Sequence, residues 1–128
     1  MIDHIDHVVL TTRDLSSCLH FYTEILGMKL EKFETPKQTR LALKFGNQKI
    51  NVHEWSKEFS PRAHVAAPGT LDLCFISAVP LEEVIAKLQK ENIKIIEGPV
   101  MKTGATSKIR SVYVRDPDLN LVEISVPA

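Results

Sequence analysis

Four ionisable side chains stand among apolar neighbours, and each needs something to pair with. His7 lies in the run Ile5-Asp6-His7-Val8-Val9-Leu10, Asp72 sits between Leu71 and Leu73, Glu123 sits between Val122 and Ile124, and His53 precedes Glu54. An ionised carboxylate flanked by apolar residues is costly unless it is paired or coordinated, so Asp72 calls for either a metal or a hydrogen-bond network. Glu123 faces water on a half-exposed strand, or else a polar cavity, which requires a sheet covered on both sides. His7 read alone is a core histidine bonded to backbone more often than a ligand. His53 is a ligand or base candidate close to a strand end, where it can equally be exposed. Asn51, two residues before it, is a poor transition-metal ligand and a better donor for orienting a neighbour. Cys18 and Cys74 lie in apolar-periodic segments without CxxC spacing and read as buried thiols.

The elements that must position these residues form one pattern written twice. Residues 5–12 are a β-branched run that reads as a strand. Asp14 then caps a helix whose apolar positions Leu15, Cys18, Leu19, Tyr22, Ile25 and Leu26 step by three or four until Gly27 closes it. Strands are expected at 28–33, 39–45 and 49–54, with Gly46-Asn47-Gln48 as a tight turn. The second half repeats the order: a strand over 71–76, a helix carrying Leu81, Val84, Ile85 and Leu88, and strands at 93–97, 109–115 and 120–126. Asp116-Pro117-Asp118-Leu119 joins the last two as a turn. Leu15 and Leu81 lie 66 positions apart, and His7 and Asp72 lie 65 apart, an offset that argues for tandem duplication. The expected organisation is a single domain over 1–128: module one about 4–54, a linker about 55–70 and module two about 71–126. One βαβββ unit is too small to bury a core alone, so the fold class is α+β with paired modules.

Composition removes several classes of function. At 128 residues and 14.4 kDa there is room for one core. Sixteen Lys plus Arg balance sixteen Asp plus Glu, and no basic run exceeds two residues, so nucleic acid is not an expected partner. No apolar stretch approaches the roughly 20 residues of a membrane span, and the acidic start lacks a signal-peptide pattern, which makes the cytoplasm the expected location.

Asp6-His7-Val8-Val9-Leu10, Arg13-Asp14-Leu15, the segment Phe21 to Met28 and the segment Val112 to Ile124 together resemble the vicinal oxygen chelate superfamily. That superfamily includes glyoxalase I, fosfomycin resistance proteins, extradiol dioxygenases and bleomycin resistance proteins. More narrowly, Phe45 to Glu54 and Pro68 to Phe75 are similar to the glyoxalase domain-containing protein 5 subgroup and its bacterial virulence-protein relatives. The resemblance implies tandem βαβββ modules forming a curved sheet with a central cleft. It implies a divalent metal, Mn, Fe, Ni or Zn, held from inward strand positions with room for two adjacent substrate oxygens. Carried over, the ligand positions fall on His7, Asp72 and Glu123, with Asn51 at the fourth and His53 as its replacement one pleat along. His7 and Glu123 are then expected to converge on the metal. Asn51 and Gly104 are implied at the substrate, and Glu123 or Glu54 as the proton shuttle. The implied activity is a metal-dependent lyase or isomerase of the glyoxalase type acting on a small oxygenated electrophile. The alternative is a metal-free protein of the bleomycin-resistance type that sequesters a small molecule. Small members commonly pair, so a homodimer is expected, with the linker around Phe59 and Pro61 as an apolar arm.

Overall fold

A computed structural model describes the whole chain, Met1–Ala128. The chain divides into two compact units, Met1–Thr70 and Leu71–Ala128. Residues 55–70, read from sequence as a linker, therefore belong with the first unit.

In the first unit, β1 (His7–Thr12) leads into α1 (Leu15–His20), then β2 (Lys29–Glu34), β3 (Thr39–Phe45) and β4 (Gln48–Glu54). The sheet runs β1-β4-β3-β2, with β1 parallel to β4 and the other pairs antiparallel. Asp14 caps α1 as expected, accepting from the Ser17 amide at 3.1 Å and the Ser17 hydroxyl at 2.8 Å. The regular helix is shorter than the apolar spacing predicts. Phe21–Ile25 widens into a π-turn, with the Leu26 amide donating to the Phe21 carbonyl, before Gly27 at φ +82° ends it. Apolar steps of three and four suit both turns, so the sequence does not separate them. Leu10, Leu43 and Ile50 are fully buried on one face of the sheet, and burying side chains of this kind contributes about 1.5–3 kcal/mol each.

The second unit repeats this order with β5 (Asp72–Ile76), α2 (Leu81–Lys90), β6 (Glu97–Thr103), β7 (Lys108–Arg115) and β8 (Leu121–Pro127). Its sheet runs β5-β8-β7-β6, again with the opening strand parallel to the last. Val112, Val114 and Val122 are fully buried, as are Leu81 and Leu88 of α2, which packs on β7. No helix of the chain is long and apolar enough to cross a membrane.

Two sequence expectations need correction. The sixth strand was expected at 93–97 but runs Glu97–Thr103, across Gly98-Pro99. Proline in a run argues against a central strand, yet β6 is the edge of its sheet, where a missing N–H costs little. The register shift between Glu97 and Val100 absorbs it. Cys18 is buried, but Cys74 is exposed. Strand alternation places Cys74 with Asp72, away from Leu73 and Phe75.

A polar turn locks the second unit. Asp116 accepts from the amides of Asp118 and Asn120, both at 2.9 Å, and from the Asn120 side chain at 2.8 Å. The Asn120 side-chain oxygen, Oδ1, in turn accepts from the Leu71 amide at 2.9 Å, fixing the entry to β5. Arg115 donates to the Leu119 carbonyl across the same turn.

Candidate functional site

Pairing register decides which side chains share a face. In the first unit His7 is opposite Lys49, Val9 opposite Asn51 and Thr11 opposite His53, while Ala42 flanks Asn51 from β3. His7, Asn51 and His53 thus share the face opposite the one carrying Leu10, Ile50 and Leu43. In the second unit Cys74 is opposite Glu123, Tyr113 flanks Glu123 from β7, and Ser111 is opposite Ser125. Asp72, Cys74, Glu123 and Ser125 share that unit's polar face.

The second unit's polar face is internally satisfied. The Ser111 hydroxyl donates to Glu123 Oε2 at 2.6 Å, Ser125 Oγ lies 2.7 Å from Ser111 Oγ, and Cys74 Sγ lies 3.5 Å from Ser125 Oγ. Ser125 also donates to Glu123 Oε2, at 3.4 Å, so both serine hydroxyls bear on the same carboxylate oxygen. This hydroxyl network converges on Glu123 and holds its carboxylate in place. Partial burial, together with the bond to Glu123 and its charge, pushes the Tyr113 phenol up to about 12. Partial burial and the Glu123 charge push the Cys74 thiol up as well, so it is a poor nucleophile near neutral pH.

The first unit's polar face is left open. The Asn51 carbonyl oxygen and Arg40 Nε are both buried without a hydrogen-bond partner, a state that costs about 1–3 kcal/mol for each such group. His7 Nδ1 lies 2.8 Å from Asp6 Oδ2, and a donating Nδ1–H leaves Nε2 as the ring's free nitrogen. That bond also holds the Asp6 carboxyl below its usual range. His53 packs edge-to-face on Phe59 at 4.9 Å, and the Arg40 guanidinium lies 4.4 Å from the centre of the same ring. Burial and the nearby Arg40 charge lower the His53 pKa, against the opposing pull of Glu58, so the ring is neutral at pH 7. A cavity of about 160 Å³ opens beside Arg40, His53 and Phe59.

Sequence comparison identifies the framework that carries these faces. The profile of the Glyoxalase/Bleomycin resistance protein/Dioxygenase superfamily matches residues 4–124. The chain belongs to this superfamily. It is 50% identical over 125 residues to Virulence protein STM3117 of Salmonella typhimurium, covering 98% of this chain and 85% of that protein. It is 47% identical over 121 residues to Glyoxalase domain-containing protein RDO1 of Mycosarcoma maydis, covering 94% of this chain and 66% of the relative. The crystal structure of the Salmonella protein superposes with a TM-score of 0.92 at 49% identity, covering 100% of this chain and 99% of that one. Lactoylglutathione lyase from Agrobacterium tumefaciens, at 21% identity, a TM-score of 0.72 and coverage of 98% and 95%, shares the fold.

Measured against the divalent metal that the glyoxalase superfamily implies, the donors divide. Glu123 fits, because the two serine hydroxyls orient its carboxylate as hydrogen bonds to a metal-ligating carboxylate do. His7 fits through Nε2, and Asp72 offers an exposed carboxylate on the polar face of β5. His53 does not fit as well, since the Arg40 cation beside it opposes a second positive charge. Glu54 alternates to the face opposite His53 and is exposed, so it does not join Asn51 and His53. The chain gathers no group of three His, Cys, Asp or Glu side chains that could hold a metal ion. Gly104 is required by its own turn: its amide donates to the Ser107 carbonyl at 2.8 Å, and a Cβ would stand 2.7 Å from that oxygen. Phe59, expected as an arm toward a second chain, packs within its own unit.

The sequence singles out neither Arg40, Ser111 nor Tyr113 as a site residue, and it offers Phe59 only as an arm toward a second chain. Ser111 and Tyr113 were findable, because they alternate with Val112 and Val114 in a strand whose other face is apolar. Phe59 lies in a segment without periodicity and gave no such signal.

Proposed function

We propose that this superfamily member is a metal-dependent enzyme of the glyoxalase type, acting on a small molecule with two neighbouring oxygens. His7, Asp72 and Glu123 are the residues assigned to the metal. The observation that carries the reading is the pair of serine hydroxyls, Ser111 and Ser125, that bear on Glu123 Oε2 and fix its carboxylate on the polar face of the second sheet. Bound there, a divalent ion would supply Lewis acidity toward the substrate oxygens. Glu123, which accepts from Ser111, would take up a substrate proton, and Tyr113, protonated up to about 12, stays a hydrogen-bond donor at neutral pH. Glu54 has no part in this assignment.

The experiment is direct. Protein stripped with chelator and reloaded with Mn²⁺, Fe²⁺, Ni²⁺ or Zn²⁺ is assayed on methylglyoxal hemithioacetal, an epoxide and a catechol. Metal-dependent turnover of one of them is the expected result, and inactivity with every metal overturns the reading. A second reading, metal-free sequestration of a small molecule, is favoured by Asn51, a neutral amide at a position where the superfamily places a ligand. Ligand binding without metal affinity would decide for it. The proposed assembly is a homodimer, and light scattering is expected to give about twice 14.4 kDa.

A further inference from the structure

The cavity of the first unit has two kinds of wall. Leu15, Leu41, Val52 and Phe59 line it with apolar surface. Arg40 and Lys57 bring positive charge, against one lining carboxylate, Glu54. Glu58 also acts on His53 from the neighbouring segment. No carboxylate of the chain pairs with Arg40, whose guanidinium lies over the Phe59 ring instead. Its Nε–H is buried without an acceptor in the chain, so the guanidinium charge is met by no group of the protein.

We propose that this pocket binds a small aliphatic monocarboxylate, its carboxylate on Arg40 and its tail against Phe59. The two Nη groups of a guanidinium present parallel N–H groups that match the two oxygens of a planar carboxylate. Neutral His53 supplies a further polar contact without adding charge. A cavity of about 160 Å³ is well below the roughly 300–1,000 Å³ of sites for drug-sized ligands, which limits the occupant to a short acid or the acid end of a longer molecule. Glu54 repels a phosphate dianion more than a monoanion, so carboxylate is the favoured class. The inference rests on the first unit alone and does not require the metal assignment.

The test is a titration of the full chain, metal-stripped and dialysed, with butyrate, butyramide and inorganic phosphate, followed by backbone amide chemical shifts. Saturable shifts with butyrate are expected at the start of β3, the end of β4 and around Phe59. Butyramide should bind about tenfold or more weakly, because it lacks the charge that Arg40 meets. Arg40→Met should weaken butyrate by a similar factor. Should that variant melt early, Arg40→Lys, which keeps the charge and loses the fork, carries the test and should weaken butyrate several-fold. Absence of saturable binding, butyramide matching butyrate, phosphate binding more tightly than butyrate, or unchanged affinity in both Arg40 variants would each overturn the proposal.

Discussion

Val9 opposite Asn51 in the first unit corresponds to Cys74 opposite Glu123 in the second, and Thr11 opposite His53 corresponds to Ile76 opposite Ser125. The strand pairing is the same, yet the polar groups behave differently. In the second unit Cys74, Ser125, Ser111 and Glu123 satisfy one another, and the last hairpin closes on the buried Asp116. In the first unit the Asn51 carbonyl and Arg40 Nε are left unpaired, and the corresponding hairpin closes on exposed Gly46-Asn47. What the repeat preserves is the apolar face, Leu10, Leu43 and Ile50 against Val112, Val114 and Val122, because the core depends on it. The opposite face is free of that demand and has diverged into an ordered carboxylate on one side and a set of unpaired polar groups on the other.

The hairpin turns should show the largest contrast. Asp116→Ala strands three buried donors and is expected to cost on the order of 3 kcal/mol in urea denaturation, whereas Asn47→Ala should stay within about 0.5 kcal/mol. Equal costs at the two turns would erase the distinction. Next come the polar faces themselves. Ser111→Ala removes the strongest donor to Glu123 and should cost about 1–3 kcal/mol, while Asn51→Ala removes an unpaired acceptor and should raise stability or lower it by less than about 1 kcal/mol. A larger loss at Asn51 would mean that its carbonyl has a partner after all.

Two titrations probe smaller effects. Glu123→Gln removes the charge beside Tyr113, so the phenol should ionise below 12 but stay above the ordinary 10, because burial, the largest cause, remains. Ultraviolet titration in a Tyr22→Phe background isolates that group, and an unmoved midpoint would refute the coupling. His53 has a folded pKa below its ordinary 6.5, so as pH falls the unfolded chain takes up the proton first. Its contribution to stability is therefore fully present above about pH 6.5 and lost between there and the lower folded value. The melting temperature should drop on acidification from about pH 7.5 to about pH 5.5, and drop less in His53→Gln.

Much of the fold was legible because it rests on periodicity. The Asp14 cap, the repeat of βαβββ and the Asp116-Pro117-Asp118-Leu119 turn all follow from local chemistry. The sixth strand was misplaced because Gly98-Pro99 reads as a break until the strand is known to be an edge. Alternation alone puts Asn51 and His53 on one face, as expected, and the same rule separates Glu54 from them. Arg40 and Phe59 meet His53 only through β3 pairing with β4 and the return of the 55–70 segment, contacts that no local pattern encodes. Cys74 was misread because its flanking residues, Leu73 and Phe75, belong to the other face.

The central claim is that the ordered carboxylate of the second unit is a metal ligand, while Asn51 is not needed for the metal. It is tested most directly by metal analysis of the purified chain after titration with Mn²⁺ or Ni²⁺, beside Asn51→Ala and Glu123→Gln, with folding verified by thermal melting. The account predicts about one metal per chain in the parent and in Asn51→Ala, and none in folded Glu123→Gln. A parent chain that takes up no metal, or a Glu123→Gln variant that retains it, would contradict the claim.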